Sequence, residues 1–258
     1  MTISIDGQRL AEISQLVLDW LTKQVCNIKD LHSLLGKLNF VSQCVRPGRI
    51  FVNRLLNWLR EIPEKCQISI PDDFKLDLCW WRIFLPSYNG VSVMLSEEWS
   101  RADQVFFCRF LFNWLWRLDE RRYFRCSFPD FILSENLHIN LCEMLTVIVA
   151  LKARGSNFSG KKIVVNCDNL VTVRVKNTGS SRNKCVQSCL REICFIAAIN
   201  NFDIKCRHIS GSENRIADLL SRWDLHGKFE QEFLDRTRNI VICRDLIPSV
   251  YVRFSYVW

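Results

Sequence analysis

No two cysteines of this chain are separated by just two residues, although there are thirteen of them in 258 positions. A structural zinc site wants two close pairs with tetrahedral reach, so Cys185, Cys189 and Cys194, spaced on or near one helix face, are not expected to hold zinc. The count is odd and no signal peptide precedes the cysteines, which fits a reduced, intracellular chain in cytoplasm or nucleus rather than a disulfide scaffold. Long apolar runs are missing too. Glu143 and Arg109 interrupt the longest ones, so no stretch is expected to span a membrane. Negative charge is the minority: 27 acidic residues against 35 Lys and Arg leave a net charge of +8, which favours an acidic partner, nucleic acid first among them.

What is present begins as helices. Leu10, Ile13, Leu16, Val17, Trp20 and Leu21 recur at helical spacing, and Leu31, Leu34, Leu35, Leu38 and Val41 do so after an Asn27 cap. A third helix is expected after Pro47, with Ile50, Phe51, Leu55, Trp58 and Leu59 inward and Arg46, Arg49, Arg54 and Arg60 facing solvent or phosphate. Pro71 can open a fourth, running through Trp80, Trp81 and Phe84 and ended by Pro86 and Asn89-Gly90.

The period then changes. Strands are expected near Val91 to Leu95, Gln104 to Phe112 and Arg122 to Phe128. A helix follows from Ile139 to Ala153, a strand from Lys162 to Cys167, two helices split at Gly179-Ser180-Ser181, a strand from Phe202 to His208 and a helix from Glu213 to Trp223. That order is mixed α/β. The expected organisation is a helical region over residues 1–90, an α/β domain over 91–225, and a tail over 226–258 with no clear period.

Three carboxylates stand out. Glu143 lies alone in an apolar helix, Asp168 ends an apolar strand and Asp218 opens a late helix. Singly, each has a plain structural role: Asp168 as a helix cap, Glu143 at a helix edge, Asp218 complementing a helix dipole. Converging, they are the donor set that two Mg²⁺ ions need to cut a phosphodiester, because Mg²⁺ takes hard oxygen ligands.

Their neighbours sharpen this. Asn140-Leu141-Cys142-Glu143-Met144-Leu145-Thr146-Val147, Cys167-Asp168-Asn169, and the ending His208, Gly211, Asn214, Ala217, Asp218, Leu220, Ser221, Arg222 closely resemble the RNase H domain of retrotransposon reverse transcriptases. Upstream, Gly36-Lys37-Leu38-Asn39-Phe40 and Val45-Arg46-Pro47-Gly48-Arg49 resemble the thumb/connection-like segment between polymerase and RNase H in the tyrosine-recombinase (DIRS and Ngaro) groups. The resemblance runs from about Met1 to Trp223. It implies an RNase H-like mixed five-stranded sheet with flanking helices and Mg²⁺-dependent hydrolysis of the RNA strand of an RNA–DNA hybrid. Glu143, Asp168 and Asp218 would be catalytic and metal-holding residues, His208 an auxiliary, and a polymerase region of a parent polyprotein a partner. No Tyr-x-Asp-Asp polymerase signature is present.

One part departs from the pattern. The family's first strand carries an Asp followed by a glycine-rich hairpin; here Arg109 stands at the Asp position, and Trp114 and Trp116 lie where glycines belong. A guanidinium there sets a permanent positive charge where two Mg²⁺ ions would share a ligand. Since Trp has the single codon TGG, a one-base offset through Trp114 or Trp116 reads Gly, so two compensating frameshifts would account for the change. Asp103 and Asp119 are not expected to substitute, because either would need a strand shift that alters which face its side chains meet. The expectation is a fold kept and hydrolysis lost or weakened; the alternative is a non-catalytic nucleic-acid binder.

Overall fold

The computed structural model describes residues 2–45, 48–62, 67–88, 91–93, 101–111, 114–118, 122–238 and 243–255. The fold is mixed α/β, and the chain divides into two compact units, Met1–Ser100 and Arg101–Tyr256.

The first unit is built on four helices: α1 (Gly7–Thr22), α2 (Ile28–Cys44), α3 (Arg49–Glu61) and α4 (Asp72–Phe84). Short polar residues start the first two. Asp6 accepts a hydrogen bond from the Gln8 N–H and Asn27 from the Asp30 N–H, each satisfying a donor the helix itself leaves unpaired. Pro71 lies just before α4, as its cap residue, rather than inside the first turn. The inward stripes meet in a core of Ile13, Val17, Trp20, Leu31, Leu34, Leu38, Phe51, Leu55, Phe74, Leu78, Trp80 and Trp81, all buried. Phe51 stacks on Trp80 at 4.2 Å between ring centroids, and Trp80 on Phe84 at 4.8 Å. Short strands trim the unit: β1 (Thr2–Ser4) pairs antiparallel with β4 (Val91–Val93), and β2 (Val25–Cys26) with β3 (Ile68–Ser69). The strand expected near Val91 therefore joins the helical unit and not the large sheet.

The second unit carries a six-stranded sheet, not five, in the order β10-β7-β6-β5-β8-β9. Its members are β5 (Gln104–Leu111), β6 (Trp114–Leu118), β7 (Arg122–Ser127), β8 (Lys162–Cys167), β9 (Asp203–His208) and β10 (Cys243–Asp245). Strands β5, β6 and β7 form an antiparallel meander, while β8 and β9 continue parallel beside β5. Two differences from expectation produce the count. Trp114–Leu118 is a strand, as suits a run of large apolar residues, and the tail supplies β10, parallel to β7. The hairpin between β5 and β6 at residues 112–113 and Asp119 lie outside the described residues. The tail also holds α10 (Gly227–Thr237), anchored by buried Phe233 against Leu219 and Leu220, and a 3-10 turn at Ser249–Val252.

Between these strands run α5 (Asp130–Leu133), α6 (Ile139–Arg154), α7 (Leu170–Thr178), α8 (Lys184–Ile199) and α9 (Arg215–Ser221). Helix α6 is buried at every position from Cys142 to Leu151. It packs on β5 and β6, on α8 and on the 3-10 turn of the tail, which is why it is apolar nearly all round. Gly179, at φ 74°, ends α7 in the left-handed region that glycine enters without steric cost. No described helix is long and apolar enough to cross a membrane.

Candidate functional site

The site forms where β5 and β8 run side by side. Their parallel register sets Phe107 against Asn166, so two residues further along Arg109 comes level with Asp168. Helix α9 packs on β5 and β6 and delivers Asp218 from its first turn, while α6 delivers Glu143.

Arg109 is bound to two of the three carboxylates. Its Nη1 lies 2.7 Å from Asp168 Oδ2 and its Nη2 3.3 Å from Asp218 Oδ1. The three side chains are 15%, 20% and 8% exposed, so the pairs are screened little by water. Asp218 is further surrounded by cations, with Arg222 Nε at 3.0 Å and Arg215 Nη1 at 3.6 Å. Asp168 is less well served: its Oδ1 is buried without a hydrogen-bond partner, and so is Arg109 Nη1, whose contact with Oδ2 is charge pairing and not an aligned hydrogen bond. A Cβ added at Gly211 would stand 4.0 Å from that same Nη1.

Glu143 faces a different environment. It is buried, and its Oε1 accepts a hydrogen bond from the Phe110 N–H at 3.2 Å while Oε2 receives the Cys167 thiol at 3.9 Å. Burial, and then the neighbouring Asp168 charge, push its carboxyl up to about 8. Burial, with Glu143 adding to it, likewise pushes the Cys167 thiol far up, so the sulfur stays protonated.

Glu143, Cys167 and Asp168 each offer a ligand atom, all within 4.8 Å of one another, a group able to hold a metal ion. The Mg²⁺ pair that the family resemblance implies, and that Arg109 is expected to leave weak or absent in this chain, finds a poor fit here: a guanidinium already paired with Asp168 and Asp218 stands at the position for a shared ligand, and burial shifts the Glu143 carboxyl and the Cys167 thiol towards their protonated forms, which suit a hard cation badly.

The remaining sequence candidates are placed as follows. His208 ends β9 level with Cys167 and is exposed. Asp168 does not cap the following helix; Asn169 does, accepting from the Thr172 N–H and donating to Asn140 Oδ1 at 2.9 Å, which ties the starts of α6 and α7 together. Asp103 lies at the far end of β5, where its Oδ2 accepts from the Lys162 N–H. In the helical unit, Arg46 is outside the described residues. Arg49 and Arg60 are exposed and, at about 100° per residue, roughly 20° apart on the α3 wheel. Arg54 is not available for phosphate: its Nε lies 2.6 Å from Asp77, whose side chain is buried, and Asp73 is 3.8 Å from its Nη1.

A second polar centre was not anticipated. Glu192 of α8 is fully buried, with Lys152 Nζ at 2.7 Å and both the N–H and the hydroxyl of Ser255 on its Oε1; Lys152 also donates to the Arg253 carbonyl. A lone Glu in the apolar run of α8 was the available signal, since a buried charge demands a partner.

No protein-family model matches the chain, and no curated protein is significantly similar to it in sequence.

Proposed function

We propose that the chain is an RNase H-like portion of a retrotransposon reverse transcriptase, of the tyrosine-recombinase kind, that has lost Mg²⁺-dependent hydrolysis and acts as a nucleic-acid-binding remnant. The observation that carries this reading is the Arg109 guanidinium within ion-pair distance of both Asp168 and Asp218. Two-metal hydrolysis requires carboxylates free to bridge two dications about 4 Å apart. A guanidinium in their midst repels both ions and occupies the oxygens they would take. The lineage is supported by the order of the sequence motifs and by the approach of Glu143 and Asp218 to Asp168. Hydrolysis by Mg²⁺ is what the ancestral enzyme would have done; this chain's residues hold a cation of their own instead.

Retained binding to an RNA–DNA hybrid is supported by the net charge of +8 and by the exposed pair Arg49 and Arg60. Such binding would weaken steeply with salt, as pairing with phosphates releases counterions, and would need no Mg²⁺.

The test is cleavage and binding of a labelled RNA–DNA hybrid. The chain should bind in a salt-dependent way and leave the RNA strand intact with Mg²⁺ present. A version carrying Arg109→Asp with a glycine-rich hairpin should cut, and lose cutting again with Asp168→Asn. Cleavage by the unaltered chain that Asp168→Asn abolishes would overturn the loss of activity; absence of hybrid binding would overturn the binding role.

A further inference from the structure

We propose that the second unit holds a binding site for a small, uncharged ligand of two fused aromatic rings, on the face of the sheet opposite Arg109. The inference goes beyond the reading above and depends on neither the lineage nor hydrolysis.

The site follows from strand alternation. Successive side chains of β5 point to opposite faces, so Phe110 turns away from the side on which Arg109 meets Asp168 and Asp218 and faces the start of α6 instead. There a cavity of about 240 Å³ opens between the end of β5, the residue after β7, α5 with the turn that follows it, and the first turn of α6. Of the residues around it, Phe128 and Cys142 are buried, Leu133 and Leu137 half-buried, and Asn136 and Ile139 exposed, Ile139 to 50%. That gradient gives the cavity a dry end and an open mouth.

Its polarity is confined to one place. The Cys142 thiol already donates to the Leu137 carbonyl at 3.7 Å, which leaves the Asn136 amide as the polar side chain of the lining. Asn136 is held at φ 47°, in the left-handed region that asparagine enters more readily than most residues, and its N–H donates to the Leu133 carbonyl at 3.3 Å. The turn therefore sets one amide, able to give or accept a hydrogen bond, at the rim of an apolar cavity.

These features select the ligand. None of the lining residues carries a charge, so a phosphate or carboxylate would be desolvated there without a counter-ion. An apolar cavity of about 150 Å³ takes benzene, and this one has room for a second fused ring. Phe110 and Phe128, with ring centroids 5.3 Å apart and planes tilted by 38°, offer both a face and an edge to an aromatic guest. Covering Ile139, half of which now lies in water, adds apolar burial. An indole-like ring meets all of these demands.

The experiment uses the full chain and indole, followed by saturation-transfer NMR and calorimetry. Indole should bind with a Kd of about 0.1–1 mM. It should slow alkylation of Cys142 by iodoacetamide, resolved by peptide mass spectrometry, and leave the rate at Cys185, exposed on α8, unchanged. Indoleacetate, the same ring system carrying a carboxylate, should bind about tenfold more weakly or worse. Ile139→Asp, which sets a charge at the mouth in a helix first turn that accepts one, should weaken indole binding by about tenfold or more. Asn136→Gly keeps the left-handed turn and should weaken it about three- to tenfold through the missing hydrogen bond. Both variants should melt near the unaltered chain; if Ile139→Asp does not fold, Asn136→Gly decides. Absence of indole binding, binding that neither variant weakens, or equal slowing at Cys142 and Cys185 would overturn the site. Indoleacetate binding as tightly as indole would overturn the assignment to an uncharged ligand.

Discussion

Glu143 and Asp168 bring carboxylate oxygens within 4.8 Å of each other in a pocket where, among the described residues, Asp168 is the one of the two paired with a cation at contact distance. The consequence is a stability that depends on pH. Burial and the Asp168 charge raise the Glu143 carboxyl to about 8 from its ordinary 4.5. Between those values the unfolded chain has released this proton and the folded chain has kept it. The contribution is therefore complete below the unfolded value and is lost as pH rises through the folded one. Urea unfolding at about pH 6 and about pH 9 should show the chain weaker at the higher pH, and Glu143→Gln, which keeps an acceptor for the Phe110 N–H, should flatten the difference. Parallel pH profiles for the two proteins would refute the assignment.

Arginines of one helix should separate by role. Arg54→Ala removes an arginine paired with buried Asp77 at 2.6 Å and should cost about 3 kcal/mol of stability in the helical unit. Arg49→Ala and Arg60→Ala, both at exposed positions, should leave the melting temperature alone and lower the salt slope of hybrid binding by about 0.7–0.9 for each phosphate left without its arginine. Denaturation curves alongside binding titrations at several salt concentrations distinguish the two behaviours.

The Lys152–Glu192 centre fastens the tail to α6 and α8. Lys152→Met should destabilise the second unit by about 3 kcal/mol and loosen residues 249–255, because Ser255 shares the same carboxylate oxygen. Hydrogen exchange of the tail amides is the measurement; unchanged protection would show that the tail is held by other interactions.

Asn169→Ala removes both the cap on the Thr172 N–H and the bond to Asn140. A loss of about 1 kcal/mol is expected from the cap. Because the bond joins α6 to α7 beside the site, hybrid affinity measured with this variant should fall as well if the pocket region contributes to binding.

Much of this architecture could be read from residue patterns where interactions are local. The four helices of the first unit follow from their apolar periods and from caps such as Asn27, α6 from a long apolar run broken by Glu143, β8 from the short run Ile163 to Val165, and β9 from the alternation of Ile204 and Cys206 with Lys205 and Arg207. The misses share a cause. Strand β10 has three residues whose partner, β7, lies more than a hundred positions earlier, and no local pattern encodes such a pairing. Helix α10 carries a sparse stripe that becomes meaningful only when Phe233 meets Leu219 and Leu220. Trp114 to Leu118 resembles a spoiled hairpin when compared with glycines, whereas its own composition favours a strand. At the site, the order of the motifs pointed to the neighbourhood of Glu143 and Asp168 and to the position of Arg109; Asp218 is tied to Asp168 through the guanidinium that both face. The effect of that guanidinium was not legible. The sequence suggested repulsion of absent ions; the structure shows attraction to the carboxylates that are present. Arg54 escaped the sequence reading for the same reason, since its partner Asp77 comes from another helix.

The parallel pairing of Cys243–Asp245 with Arg122–Phe124 has a bearing on solubility. A sheet must end somewhere, and the open backbone of its last strand invites another chain to continue it. Here the tail lies along the first half of β7, Arg122 to Phe124, and sets a three-residue strand at that border. A shortened chain ending at Arg238 would add the hydrogen-bonding groups of Arg122 to Phe124 to the open edge, lengthening the stretch on which a second copy of the same chain could pair. The segment with the least regular pattern in the sequence thus shortens the edge one molecule offers to the next.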